Sequence, residues 1–588
     1  MTQRYCLFGS VLSTIEEAKS TMAIWSPHRL ADILTDIEEG RYVLPVIQRP
    51  LVWKEDKMEL LFDTLLKGDS FGGVIVIEAE RNTKPLFNYR PFTRDGEFIP
   101  SVNVDVLPQQ QFFVIDGQQR LQTFYIGLKG SINGKVLYFD LFSDFNTEFE
   151  FKFENDAQKL DRQPKDNPDR PIPEHNWYLA SALMQRLRDT DDDDQVADEI
   201  IRDQAITEDA KKTHVAKNVK AFYKNAVTAS TLGVSRVIIN RSFDETTNRQ
   251  RIVELFRRLN DGGTKLSSFD LVASILKGFS WEMEGFLREV IEDYEEIGLS
   301  QDNLLKLIFI LQDNPYKEMA SIEEADATFA IKNKERIKAT LKCLSKFLDY
   351  AKLQDYYKGG TRSFIPLFFI AYHIFHKNLD NQDLLRFFDN YDTGNKDFPL
   401  IRRWLYHSLV NGVFRSRGAG WIPYKTGIKK LLDAIKTHKD AAFPIGELFD
   451  VYTNHPVTFK TTYDVNSLDQ LESSFVYYLM YDMARTVRTN DIDHIMPKSI
   501  LENLGCDVAK INSIRNFQFL DYGTNRGEKN GKAFAAWVGN SEYVSDQAAY
   551  LKLHLIPTDS ALWNEAKFEE FSEARGQLIL AKLARHIS

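Results

Sequence analysis

Apolar side chains recur at helical spacing near the start of the chain. Leu30, Ile33, Leu34 and Ile37 form one stripe. The Ser26-Pro27 pair ahead of it predicts a helix N-cap with proline in the first turn, and Gly40 predicts the helix end. Tyr42 to Val46 reads as extended, and residues 56–67 as a second amphipathic helix closed by Gly68. FGGVIVIE (71–78) reads as a buried strand from its β-branched content. The polar, proline-containing stretch 80–110 reads as a hairpin insertion. In FFVIDGQQRLQTFYIGL (112–128), FFVI predicts a strand, Asp116-Gly117 a tight turn, and Gln118 onward a helix with Leu121, Phe124, Tyr125 and Leu128 on its apolar face. KVLYFDLF, EFEFKF and RVIIN predict three more strands, and residues 254–260 and 266–278 two more helices.

From about 280 to 450 the period is helical throughout, as in Leu304, Leu305, Leu307, Ile308, Ile310 and Leu311. His373 and His376 share one aromatic-rich segment there. With no carboxylate near them in sequence they read as packed helix rather than as metal ligands. The acidic run Asp191–Asp194 reads as a solvated helix N-terminus. A helix over 466–486 leads into two short strands, DIDHIMP (491–497) and NFQFL (516–520). A turn at 521–524 follows, then a polar helix opening at Asn525 and closing helices at 550–555 and 568–586.

Composition narrows the class. The chain has 588 residues, 43% of them hydrophobic, with 41 Phe, 24 Tyr and 8 Trp, which suits several packed cores and disfavours disorder. No apolar run reaches the roughly 18 residues of a membrane span, and the N-terminus does not read as a signal peptide. Three scattered cysteines make neither a disulfide framework nor a zinc site, which fits the cytoplasm. The net charge of −10 argues against a chain that coats nucleic acid nonspecifically.

Residues 491–532 gather the side chains of a hydrolytic metal site. Cleaving a phosphodiester needs an activated water and a counter-charge for the phosphate. Histidine is the side chain whose ordinary titration lies near neutrality, so His494 suits a general base. Asp493 and the amide oxygen of Asn525 suit a hard divalent cation. Asn516 reads as a partner that orients the imidazole. Arg526, Lys529 and Lys532 read as phosphate contacts. Strand, strand and helix in this order are the layout of a ββα-metal nuclease.

Asp-x-Asp-His-x-x-Pro, then Asn516, then Asn-Arg-Gly-x-Lys resembles an HNH (His-Me finger) motif. It is most similar to the C-terminal nuclease domain of GmrSD-type restriction enzymes. The resemblance implies His494 as general base, with Asp493 and Asn525 binding Mg2+ or Mn2+. Arg515-Asn516-Phe517 stands where the family often has Gly-Asn-Leu.

On the residues alone, the Asp116–Arg120 junction admits a phosphate or metal site and a plain turn equally. Gln48-Arg49, DGQQR and Phe256 to Ser267 (FRRLNDGGTKLS) resemble three signatures of the GmrSD-type N-terminal domain, which is similar to the ParB/sulfiredoxin fold. The resemblance implies nucleoside triphosphate binding and hydrolysis through Asp116, Gly117, Gln118, Gln119 and Arg120, with Gln48, Arg49, Arg258 and Asn260 beside them, and a part in sensing modified DNA. Ile47 and Leu51 stand where family members often carry Tyr, which argues against an aromatic modification pocket there.

The expected fold is α+β and multidomain: a ParB/sulfiredoxin-like domain over 1–280, a helical scaffold over 281–450 offering a dimer surface, and an HNH nuclease domain over 451–588 embedded in helices. The expected function is a modification-dependent endonuclease in phage defence that cleaves double-stranded DNA under nucleotide control. Two rivals are a nucleotide-gated DNA-binding module with a structural HNH domain, and a sequence-unspecific toxin nuclease.

Overall fold

The structure is a computed structural model. It describes residues 24–160, 174–239, 242–261, 268–315, 321–358, 362–414, 427–439, 441–453, 459–482, 491–521 and 524–587. The side chains of Thr246, Asn260, Asp261, Ser268, Phe269 and Arg526 lie outside the description, as do residues 262–267 of the third signature. The chain divides into two compact units. One holds the described residues up to Glu284 with Ile322–Ala327, and the other holds the rest. Among the described residues no helix is long and apolar enough to cross a membrane.

The first unit is built on two sheets. Its strands are β1 (Ile24–His28), β2 (Tyr42–Pro45), β3 (Val74–Ala79), β4 (Tyr89–Pro91), β5 (Gln111–Asp116), β6 (Val136–Asp140), β7 (Phe151–Glu154), β8 (Trp177–Leu179) and β9 (Leu232–Val237). A mixed six-stranded sheet runs β1-β9-β3-β5-β2-β4, and a smaller sheet runs β7-β6-β8. β5 is central, antiparallel to β3 and parallel to β2. The helices Leu30–Glu38, Glu55–Lys67 and Gln118–Lys129 supply Leu34, Phe62, Leu121 and Phe124 to a core shared with Val76, Val114 and Phe139.

The sequence pattern misplaces the first helix start. Ser26-Pro27 lies in β1, and the helix begins at Leu30 behind an extended Arg29. A residue before proline is driven to extended backbone, and Ser26 Oγ donates to the Val234 carbonyl of β9 at 3.3 Å. Pro27 is tolerated because β1 is an edge strand. The acidic run does begin a helix: Asp192 Oδ1 accepts from Gln195 N at 2.9 Å and caps Asp193–Asp203.

Among its described residues, the second unit is helical apart from β10 (Asp491–His494) and β11 (Phe517–Leu520). These two pair antiparallel, with Asp493 opposite Gln518 and His494 opposite Phe517. Ile495, Met496, Ile511, Leu520, Phe534 and Trp537 form the core beside them. His373 does have a carboxylate near it in space. Its Nε2 lies 2.8 Å from Asp397 Oδ1, and Lys377 Nζ lies 3.3 Å from Oδ2, so the three form a buried polar cluster.

The polar helix expected from Asn525 is a single wide turn, Thr524–Lys529. It starts one residue early because Asp521 caps it, its carboxylate accepting from Thr524 N at 3.0 Å and Thr524 Oγ1 at 2.6 Å. It stops because Asn530 (φ 28°) and Gly531 (φ 77°) take left-handed backbone.

Candidate functional site

The strand end at Asp493-His494 gathers Gln518, Lys529 and Asn512 around it. Asp493 is largely enclosed, with 12% of its side chain exposed. Its Oδ2 accepts from Gln518 Nε2 at 2.8 Å and from Lys529 Nζ at 2.6 Å. The Lys529 ammonium also donates to the His494 carbonyl. Lys529 therefore fastens the Thr524–Lys529 turn to both residues of the strand end. Asn525 lies one turn back along the same segment, half-buried, and among the described residues its side-chain amide has no hydrogen-bond partner.

Lys529, expected on a phosphate, is buried on Asp493 instead. Burial pulls its pKa down and the Asp493 charge opposes the shift. Lys532 donates to the Glu528 carbonyl and lies 4.9 Å from the centre of the Tyr543 ring. Arg526 sits on the same turn, with its side chain outside the described residues.

His494 Nε2 meets Asn512 Oδ1 at 3.1 Å, and its ring packs on Phe517 with centroids 4.8 Å apart. An amide oxygen only accepts, so in this contact Nε2–H is the donor and Nδ1 is the ring nitrogen turned away from Asn512. Asn516 was expected to orient the imidazole. It is fully buried instead, with Oδ1 accepting from Met496 N at 3.0 Å and Nδ2 donating to the Met496 and Ile511 carbonyls, each at 3.1 Å. It closes the backbone just after His494 and so acts on the loop rather than the ring.

Three further residues hold the site and carry no motif. Gln518 is fully buried beneath Asp493, and its Oε1 accepts from the Tyr550 hydroxyl. Arg575 is fully buried and donates to the carbonyls of Ile514, Phe517 and His554 at 2.8–3.2 Å. These contacts pin both ends of the turn into β11. A glutamine and an arginine inside otherwise ordinary strand and helix patterns give no sign in sequence that they are buried.

The donor set fits a hard divalent cation. Among the described residues, none bonds Asp493 Oδ1 or the amide oxygen of Asn525.

In the first unit, the DGQQR segment joins β5 to the helix Gln118–Lys129. Gly117 takes φ 86°, and a Cβ there would meet the Gly73 carbonyl oxygen at 3.0 Å. The glutamines grip the 48–53 loop. Gln118 Nε2 donates to the Arg49 carbonyl at 2.7 Å and Gln119 Nε2 to the Pro50 carbonyl at 3.2 Å. Gln119 Oε1 accepts from Val52 N at 2.9 Å and Trp53 N at 3.3 Å. Gln48 Nε2 donates to the Val114 carbonyl at 2.9 Å.

Arg120 donates to the Gly73 carbonyl and lies 3.6 Å from the half-exposed Asp116 carboxylate. Gln48, Arg49, Gln118 and Gln122 line a cavity of about 20 Å3, which is room for one water. The structure thus brings the first two signatures together. The third approaches through its helices: Gly278 lies so close that a Cβ would meet Ile47 at 3.0 Å and Val253 at 3.3 Å. Arg258 is exposed and donates to Glu254 at 2.7 Å. Together with Arg257 it holds the Glu254 carboxyl down to about 2. Asn260 is the last residue but one of the helix Glu245–Asp261, its side chain outside the described residues.

Residues 30–277 match the N-terminal domain of GmrSD restriction endonucleases. The match takes in Gln48-Arg49, DGQQR and Phe256 to Ser267. The Asp493–His494 site lies beyond it. The chain is also similar to the uncharacterized protein MJ0686 of Methanocaldococcus jannaschii, at 24% identity over 257 residues. The alignment covers 42% of this chain and 40% of that protein, so the chain spans well under half the length of the curated relative it matches.

Proposed function

We propose that the chain is a modification-dependent DNA endonuclease of GmrSD type. Its nuclease centre is Asp493, His494 and Asn525, and its N-terminal unit handles a nucleoside triphosphate. One observation carries the nuclease half. Lys529 bridges the Asp493 carboxylate and the His494 carbonyl, which holds the turn carrying Asn525 against the strand end carrying the acid and the base.

The parts divide the chemistry. Asp493 Oδ1 and the Asn525 amide oxygen would hold a Mg2+ or Mn2+ ion, which would supply Lewis acidity at the phosphate and at the leaving oxygen. His494 Nδ1 takes the proton of the attacking water, while Nε2–H stays on Asn512. The imidazole then carries a positive charge beside the phosphate it has helped to open.

In the N-terminal half, Gln118 and Gln119 hold the 48–53 loop against the DGQQR segment. A triphosphate that takes up these two side chains displaces that loop, which makes the loop the element a nucleotide acts on.

The test is a digestion panel. Full-length protein with Mg2+ or Mn2+, with and without each nucleoside triphosphate, is mixed with unmodified, methylated, hydroxymethylated, glucosylated and phosphorothioated DNA. Nucleotide-dependent cleavage of one modified DNA, lost in His494→Ala while nucleotide hydrolysis persists, is the expected result. Equal cleavage of every DNA would favour a toxin nuclease. Nucleotide hydrolysis without any cleavage would favour a nucleotide-gated binding module.

A further inference from the structure

We infer that Gln518 and Tyr550 are positioning residues that turn the Asp493 carboxylate so that Oδ1 alone is presented to a divalent cation. The inference rests on the nuclease reading above. Gln518 is the cross-strand partner of Asp493 in the β10–β11 pair and has no exposed surface. Its amide has one workable orientation. A carboxylate only accepts, so Nε2–H must face Asp493 Oδ2, and Oε1 must then face away. What it faces is the Tyr550 hydroxyl, which is therefore obliged to donate. Burial and the Asp493 charge push the Tyr550 pKa well up, so the hydroxyl keeps the proton this role needs.

The far end of the relay is fixed by packing. The Tyr550 ring lies 5.1 Å from Trp537 and 4.4 Å from His554, centroid to centroid. His554 is itself hydrogen-bonded to Tyr481 at 2.9 Å. At the near end Oδ2 carries two donors, Gln518 and Lys529, while no described residue donates to Oδ1. A carboxylate with one oxygen so occupied meets a cation through the other, as a single-oxygen ligand. Its rotation is set before the cation arrives, and removing such outer partners weakens metal binding by about 10–100-fold in metal sites generally.

The test measures Mn2+ affinity of full-length protein by electron paramagnetic resonance, with apo melting temperatures alongside. Wild type and His494→Ala are expected to bind alike, since the imidazole is the base and not a ligand. Gln518→Leu is expected to bind about tenfold more weakly. Tyr550→Phe, which leaves Nε2 in place but frees the amide to turn, is expected to bind a few-fold more weakly with a melting temperature close to wild type. If Gln518→Leu does not fold, Tyr550→Phe decides. Wild-type affinity in both variants would overturn the positioning role and leave the nuclease reading standing. A wild type that binds no Mn2+ would overturn both.

Discussion

Lys529 Nζ lies 2.6 Å from Asp493 Oδ2, and only 2% of the lysine side chain is exposed. A lysine in an Asn-Arg-Gly-x-Lys run reads from sequence as a phosphate contact, yet its charge is already spent inside the protein. Burial makes the difference between the two roles measurable. A surface lysine contributes through long-range charge that salt screens. An enclosed one contributes through the partner it leaves behind when removed.

Lys529→Met is therefore expected to destabilise the protein by about 3 kcal/mol, because Asp493 is left enclosed without its counter-charge. Urea unfolding of both proteins measures this. The salt dependence of DNA binding is expected to be the same as wild type. A variant of unchanged stability whose log–log salt slope falls by about one would restore the phosphate role.

Asn512 is an exposed residue with no place in the motif, and it is the partner of the His494 imidazole. Asn512→Ala is expected to lower the cleavage rate by about tenfold, because the ring loses the acceptor that selects its tautomer. Mn2+ affinity should stay as in wild type, since neither proposed ligand is touched. An unaltered single-turnover rate would remove Asn512 from the site.

Much of this architecture is legible in the residue pattern. β5, the Gly117 turn and the helix after it appear as alternation, glycine and a 3.6-residue period, because local backbone preference and burial agree there. The β10–β11 pair is legible for the same reason. What the pattern hides is the destination of polar side chains. Gln119 in a loop–helix junction looks the same whether it faces a ligand or the amides of Val52 and Trp53. Asn516 looks equally suited to a ring and to the Met496 backbone. Arg575 lies on a long closing helix whose pattern gives no hint of three carbonyl acceptors around it. Such choices depend on contacts between residues tens of positions apart, and a single sequence does not record them.

Gln119 offers a direct probe of the loop it grips. Gln119→Ala removes the acceptor of two amides and the donor to Pro50. The amides of Val52 and Trp53 are expected to exchange with deuterium at least tenfold faster, which corresponds to about 1.4 kcal/mol of local opening. Exchange at 491–521 should not move. If a nucleotide acts by displacing this loop, the variant should also bind nucleotide more tightly, since the clamp no longer opposes entry. Protection at Val52 and Trp53 equal to wild type would show that something other than Gln119 holds the loop.

His554 ties the site to pH through stability rather than catalysis. Burial, helped by the Arg575 guanidinium, pushes its pKa down to about 3. The unfolded chain titrates near the ordinary value of about 6.5. Above that pH neither state binds the proton, and His554 contributes no pH dependence. Below it the unfolded chain takes up a proton that the folded protein refuses. Stability is therefore lost as pH falls from about 6.5 towards 3, by about 1.4 kcal/mol per pH unit. His407, held at about 4 mainly by burial, acts in the same direction over a narrower window. His554→Gln keeps an acceptor for the Tyr481 hydroxyl and removes the titration. Its unfolding free energy, followed by urea melts from pH 7 to pH 4, should fall less steeply than wild type by about one proton. Parallel slopes in the two proteins would mean that His554 takes up its proton in the folded state, which the enclosure by Tyr481, Tyr550 and Arg575 forbids.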